Sequence, residues 1–124
     1  VILDSCFLID LLDSEAAAAA KLEEIDDELL VVPTLVYTEV AVGIDPETPT
    51  GERFEEVMDD VPLVAYDGEA ARRAVDVQRD LRSTGERIGA VDAMIAGIAL
   101  ARDEPVVTRN AEEFVRTPVR VSPY

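Results

Sequence analysis

The chain reads as an α/β fold: a central, mainly parallel sheet of four to five strands with helices on both faces. Three observations predict it. Four short apolar runs without alternation, Val1–Leu3, Leu29–Val32, Leu63–Tyr66 and Pro105–Thr108, read as strands buried on both faces. Between them lie longer segments whose apolar residues recur at helical spacing. Strand and helix alternate along the chain, which requires crossover connections and hence parallel pairing. With 124 residues there is room for one core, so residues 1–124 are expected to form a single domain.

The elements follow in order. The first strand stops at Asp4, Ser5 is expected to cap the next helix, and Phe7, Leu8, Leu11 and Leu12 supply that helix with an apolar face. The Ala16–Ala20 run is the best helix-forming composition available and calls for no functional explanation. After the second strand, Pro33 suits the first turn of a helix carrying Leu35, Val36, Glu39, Val40 and Val42, which Gly43 ends. Asp45 to Gly51, with two prolines, reads as a loop, and Phe54, Val57 and Met58 as a short amphipathic helix after it. Asp67 is expected to cap a long helix whose Ala70, Ala74, Val77 and Leu81 repeat at i, i+4, i+7 and i+11. Ser83 to Gly89 is a turn-rich break, and Ala90 to Ala101 an apolar helix interrupted by Asp92. A short helix over Asn110–Val115 and a last short strand over Pro118–Val121 complete the set.

Charge narrows the function. There are 27 acidic against 11 basic residues, a formal net charge of −16, and no histidine. Among the bases only Lys21 is a lysine. Such a balance argues against a general nucleic-acid sleeve or a binder of anionic membranes, both of which rely on summed positive charge. Without histidine there is no Ser-His-Asp or Cys-His triad and no imidazole general base, so catalysis must run on carboxylates, hydroxyls or arginine. A single cysteine, Cys6, excludes an internal disulfide and a four-cysteine zinc site, and reads as a packing thiol. No apolar run reaches membrane-spanning length, and a reducing cytoplasm is the expected compartment. The chain opens at Val1, without methionine. Acids in place of nearly all lysine, with ordinary arginine usage, fit a protein adapted to high salt, where screening over about 3 Å mutes self-repulsion.

Most of the acids, among them Glu112 and Glu113, occur in pairs that read as solvated faces. Three do not. Asp92 has Ile95, Ala96 and Ala99 at i+3, i+4 and i+7, and Glu39 has Leu35 and Val36 behind it, so both are expected on buried helix faces. Asp4 ends a strand, and ligands of open parallel sheets bind at the carboxyl ends of strands. Each alone has a structural explanation: Asp4 or Asp92 as a helix cap, Glu39 as the partner of Arg72, Arg73 or Arg109. Together, buried carboxylates that outnumber their local cations point to a shared divalent cation held by oxygen ligands, Mg²⁺ or Mn²⁺. Thr108 and Asn110, after the fourth strand, are neutral oxygen-bearing residues placed to reach the same crevice.

The stretches that carry these residues, Val1-Ile2-Leu3-Asp4-Ser5, Tyr37-Thr38-Glu39-Val40, Val91-Asp92-Ala93-Met94-Ile95-Ala96 and Val107-Thr108-Arg109-Asn110 with Phe114, occur in the order of a PIN-domain nuclease, and the chain resembles the VapC-type toxins of toxin–antitoxin pairs. The resemblance covers nearly the whole chain. It implies a three-layer αβα PIN-like fold and a Mg²⁺- or Mn²⁺-dependent endoribonuclease leaving a 5′-phosphate and a 3′-hydroxyl. It also implies a VapB-like antitoxin and a homodimer. Asp4, Glu39 and Asp92 match the family's three acids, as metal ligands and catalytic residues. Ser5, Thr108 and Asn110 would support them. Asn110 stands where the family often has aspartate, which puts a second metal in question; Glu113 is near but is not expected to replace it. Arg79 and Arg82, with Arg72, Arg73 and Arg87, form a candidate track for RNA phosphates. Two other readings remain: a PIN nuclease of RNA processing without an antitoxin, and a non-catalytic PIN-like binding module.

Overall fold

In the computed structural model all 124 residues are described. Two sets of parallel strands make the sheet. β1 (Ile2–Leu3), β4 (Val106–Thr108) and β5 (Val121–Pro123) pair in the order β1-β4-β5, and β2 (Val32–Pro33) pairs with β3 (Leu63–Val64). A bridge between Ile2 and Val31 joins the two, with Leu3 N donating to Val31 O at 2.9 Å and Val31 N donating to Val1 O at 2.9 Å. The resulting order is β3-β2-β1-β4-β5. Consecutive residues of β1 and β4 are fully buried, Ile2, Leu3, Val106 and Val107 alike. Neighbours along a strand point to opposite faces, so both faces of the sheet are covered.

Helices fill the connections: α1 (Ser5–Leu12) and α2 (Ala16–Glu24) after β1, α3 (Thr34–Val42) and α4 (Pro49–Asp60) after β2, α5 (Gly68–Ser83) and α6 (Ala90–Arg102) after β3, and α7 (Ala111–Phe114) after β4. The α5 stripe buries Ala70, Ala74, Val77 and Leu81, and Asp67 Oδ1 accepts the Ala70 N–H at 2.9 Å as its cap. α5 and α6 lie closely against each other. A side chain at Gly97 of α6 would collide with the Ala70 carbonyl oxygen and stand 3.0 Å from Ala74 Cβ, so only glycine lets the two backbones approach this far.

Several boundaries differ from the sequence reading. Asp4 rather than Ser5 caps α1, its Oδ1 accepting the Ser5 N–H at 2.8 Å. The second and last strands lie later than expected, at Val32–Pro33 and Val121–Pro123, and Leu29 is exposed. Pro33 accordingly belongs to β2 and caps α3 instead of opening it. The expected loop to Gly51 ends sooner: Thr48 Oγ1 accepts the Gly51 N–H at 3.1 Å and opens a twelve-residue α4 with Pro49 in its first turn. Tyr37 and Phe54 then stack at a centroid distance of 5.7 Å and hold α4 against α3.

Chain order places a crevice. From β1 the chain moves to β2 and β3 on one side, then returns through α5 and α6 to β4 on the other. β1 and β4 therefore flank a topological switch point, and the space beyond their carboxyl ends is open to a ligand.

Candidate active site

Asp4, Thr108 and the helix-borne acids reach that space from adjacent strand ends. Asp4 follows β1 and is buried, as is Thr108, the last residue of β4. Thr108 Oγ1 donates to Asp4 Oδ2 at 2.8 Å and accepts the Asn110 N–H at 3.0 Å. One hydroxyl thus orients a carboxylate and fixes the turn after β4. Cys6 belongs to the same group rather than to plain packing. Its Sγ lies 3.6 Å from Asp4 Oδ2 and 3.3 Å from Thr108 Oγ1, and it accepts the Arg109 N–H at 3.4 Å.

Asp92 sits in the first turn of α6 and is partly buried. Its carboxyl is pushed up to about 7, first by burial, then by its hydrogen bond with Glu113 and by the negative charges of Glu113, Asp4 and Glu39. Glu113 of α7 is held below the ordinary glutamate range, chiefly by that same hydrogen bond and further by the Gly89 N–H and Arg116. The two share one proton near neutral pH, and burial puts it on Asp92. Both carboxylates face Gly89: a methyl group placed there would stand 3.7 Å from Asp92 Oδ2 and 3.9 Å from Glu113 Oε2. Glu113 Oε2 is buried and receives no hydrogen bond from the protein when both groups are ionised.

Two expectations need correction. Glu39 is exposed, not on a buried face; of α3 only Val36 and Val40 are buried. It reaches the site as a charge at the rim, raising Asp92, and forms no ion pair with Arg72, Arg73 or Arg109. Glu113 is no solvated-face acid either. It is the acid that meets Asp92, whereas Asn110 is exposed and its side chain forms no cap. Ser5 enters only through its backbone N–H. Arg79 and Arg82 lie apart from the acids, on α5.

A second group was not singled out from the sequence. Asp10, in the last half of α1, is buried and receives Arg109 Nη1 at 3.0 and 2.9 Å and the Tyr124 hydroxyl at 2.7 Å. The Tyr124 phenol is held protonated by burial and by this bond, and its ring packs edge-on against Phe7 at 5.1 Å. Arg109 is thereby held by Asp10, and the Thr108–Asn110 turn is tied to α1. An acid inside an apolar helix was the available signal.

No three His, Cys, Asp or Glu side chains converge into a ready-made metal cage. The donor chemistry nevertheless fits a hard divalent cation: oxygen ligands only, and neighbouring carboxylates whose charge raises Asp92. A cation near Asp92 would take the place of the shared proton.

Comparison with known proteins places this arrangement. Residues 1–119 match the model of the PIN domain family. The chain belongs to that family. A stretch of 56 residues of this PIN domain is 39% identical to the tRNA(fMet)-specific endonuclease VapC of Salmonella typhimurium. That alignment spans 45% of this chain and 42% of the relative, less than half of either. Among solved structures, VapBC2 of Rickettsia felis bound to a promoter DNA fragment superposes with a TM-score of 0.84 at 18% identity, covering 99% of this chain and 97% of the other. DNA-bound VapBC of Salmonella typhimurium gives 0.79 at 24% identity over 98% and 96%, and FitAcB of Neisseria gonorrhoeae 0.81 at 18% over 97% and 94%. These likenesses establish the PIN fold of the chain.

Proposed function

We propose that this PIN domain is a Mg²⁺- or Mn²⁺-dependent endoribonuclease, the toxin of a VapBC-type pair. The observation that carries the reading is the Asp4–Asp92–Glu113 group at the β1/β4 switch point, where two half-buried acids share one proton beside the buried Asp4 carboxylate. Asp4, Asp92 and Glu113 would hold the cation, with Glu39 added from the rim. A bound divalent cation supplies a water of lowered pKa and neutralises charge on the phosphate.

The remaining work falls to the chain itself. Thr108 and the Ser5 N–H keep both Asp4 oxygens hydrogen-bonded, so that carboxylate points in one direction. Asp92, once deprotonated, adds charge where a phosphate and its cation would sit. Glu39, exposed at the rim, would orient the attacking water. Arg109 is committed to Asp10 and keeps the Asn110 turn in register. Attack by water rather than by the ribose 2′-hydroxyl leaves a 5′-phosphate and a 3′-hydroxyl. The test is to incubate RNA with the protein in Mn²⁺ and in EDTA and to map the ends. Cleavage only in Mn²⁺, with 5′-phosphate ends, supports the reading; identical lanes refute it.

A VapB-like antitoxin is proposed as the partner, supported by the VapBC complexes among the structural relatives. A groove beside Glu39, lined by Ile9, Leu12, Val40 and Ile44, offers apolar surface for such a segment. A homodimer, a cytoplasmic location and work at high salt belong to the same proposal. The salt reading gains from Lys21 of α2, which is buried with Nζ 3.3 Å from Glu24 of the same helix, so the surface carries no lysine. Glu113 weakens the case for a non-catalytic module, which rested on the neutral Asn110.

A further inference from the structure

A cavity of about 440 Å³ opens on the seam between α5 and α6, on the far side of the first turn of α6 from Asp92. Ala90, Ala93 and Met94 of that turn line it; at about 100° per residue they lie on the helix face away from Asp92. Its apolar lining includes the half-buried Tyr66 and Met94 and the exposed Val75, and its rim carries Arg79, Arg82 and Arg87. These three guanidinium groups are exposed and form no ion pair, although Asp76, Asp80 and Glu86 are near in sequence. In a chain of 27 acids, three adjacent free cations are a departure from the rest of the surface.

The rim is built. Gln78 donates Nε2 to the Ile88 carbonyl at 2.7 Å and accepts the Ile88 N–H at 3.3 Å, which clamps the α5–α6 connection and fixes the backbone beside Arg87 opposite α5. Along α5, Arg72, Val75, Arg79 and Arg82 fall at i, i+3, i+7 and i+10, one outward stripe. Two-fold packing of this stripe on a second copy would set arginine against arginine, so the charge pattern fits an anionic occupant.

We infer that this cavity is a nucleotide subsite for a single RNA strand, with the arginines on successive phosphates and a base against the apolar lining of Tyr66, Val75 and Met94. A strand leaving the acids would pass over the first turn of α6, about 10–12 Å across, and enter the cavity within a few nucleotides. The subsite would then set which sequence beside the cut is accepted. This inference rests on the ribonuclease reading.

Binding of a fluorescein-labelled single-stranded oligoribonucleotide, followed by anisotropy in EDTA over a salt series, tests the subsite apart from cleavage. Arg79→Ala/Arg82→Ala/Arg87→Ala should bind roughly tenfold or more weakly at low salt. Its slope of log K against log salt should be shallower by about 0.7 per lost contact, about 2 in all. Val75→Glu, exposed and on the same face, should weaken binding without any loss of arginine. Unchanged melting temperatures show that both variants fold. Equal binding by parent and variants, or no binding by the parent, overturns the subsite. So does arginine-dependent binding of polyglutamate in place of RNA, or a change of oligomeric state in the variants, which would give the face to an acidic protein or to a second copy. Mn²⁺-dependent cleavage by the parent is scored separately: if it persists while binding is indifferent to the arginines, only the subsite fails, and if it is absent, the ribonuclease reading fails.

Discussion

At the scale of single residues, Asp92 ties the proposed site to stability. Its folded pKa of about 7 stands above the ordinary aspartate value of 3.8. The folded state therefore holds this proton more tightly than the unfolded chain does. The stability linked to it is fully present below about pH 4 and is lost as pH rises through 7. Glu113, shifted down, works in the opposite sense and loses its contribution as pH falls through the acidic range. Metal-free Asp92→Asn should consequently gain melting temperature over the parent at pH 8, and gain less at pH 5.5. Thermal unfolding in EDTA at the two pH values checks this; an equal difference at both would contradict it. The sequence exposed Asp92 because its neighbours at i+3, i+4 and i+7 are apolar. It hid Glu113 because a Glu-Glu pair looks solvated until α7 is placed against α6. For Glu39 the same test misled: α3 is apolar on nearly every side, so apolar neighbours there do not say which face is buried.

At the scale of elements, legibility followed length. α5 offers four turns of regular stripe, and each expected core position is buried. Strands of two or three residues carry no period, and their limits were set by pairing partners that only the fold supplies. In α4, Pro49 and Gly51 look like loop residues, yet proline suits a first turn and a Cβ at Gly51 would overlap the backbone of Asp45 and Pro46. The tightest fit between elements is Gly97 against Ala70 and Ala74. Gly97→Ala should force α5 and α6 apart and cost about 1–3 kcal/mol by overpacking, although alanine is the better helix former. Urea unfolding measures this, and a stability equal to or above the parent's would contradict the close approach. Because α6 carries Asp92 and one wall of the arginine-rimmed cavity, this variant should also lower activity.

At the scale of the whole molecule, a charge of −16 has two parts. Most acids have no cation within ion-pair distance, and the only lysine is buried. Their repulsion should loosen the fold at low ionic strength and fade as salt shortens the screening length from about 10 Å at 0.1 M to about 3 Å at 1 M. The melting temperature should rise steadily with NaCl over that range, and a flat or falling curve would contradict the high-salt reading. The other part is Asp4, Asp92 and Glu113, with Glu39 at the rim, whose crowded charge would favour uptake of a cation. Metal binding by these acids is what the proposed function requires, and calorimetric titration of Mn²⁺ at pH 8 measures it. The parent should bind with measurable heat, Asp92→Asn and Glu113→Gln should each lose affinity, and Glu112→Gln, an exposed neighbour on α7, should bind as the parent does. Equal binding by all four proteins, or none by the parent, would contradict the account.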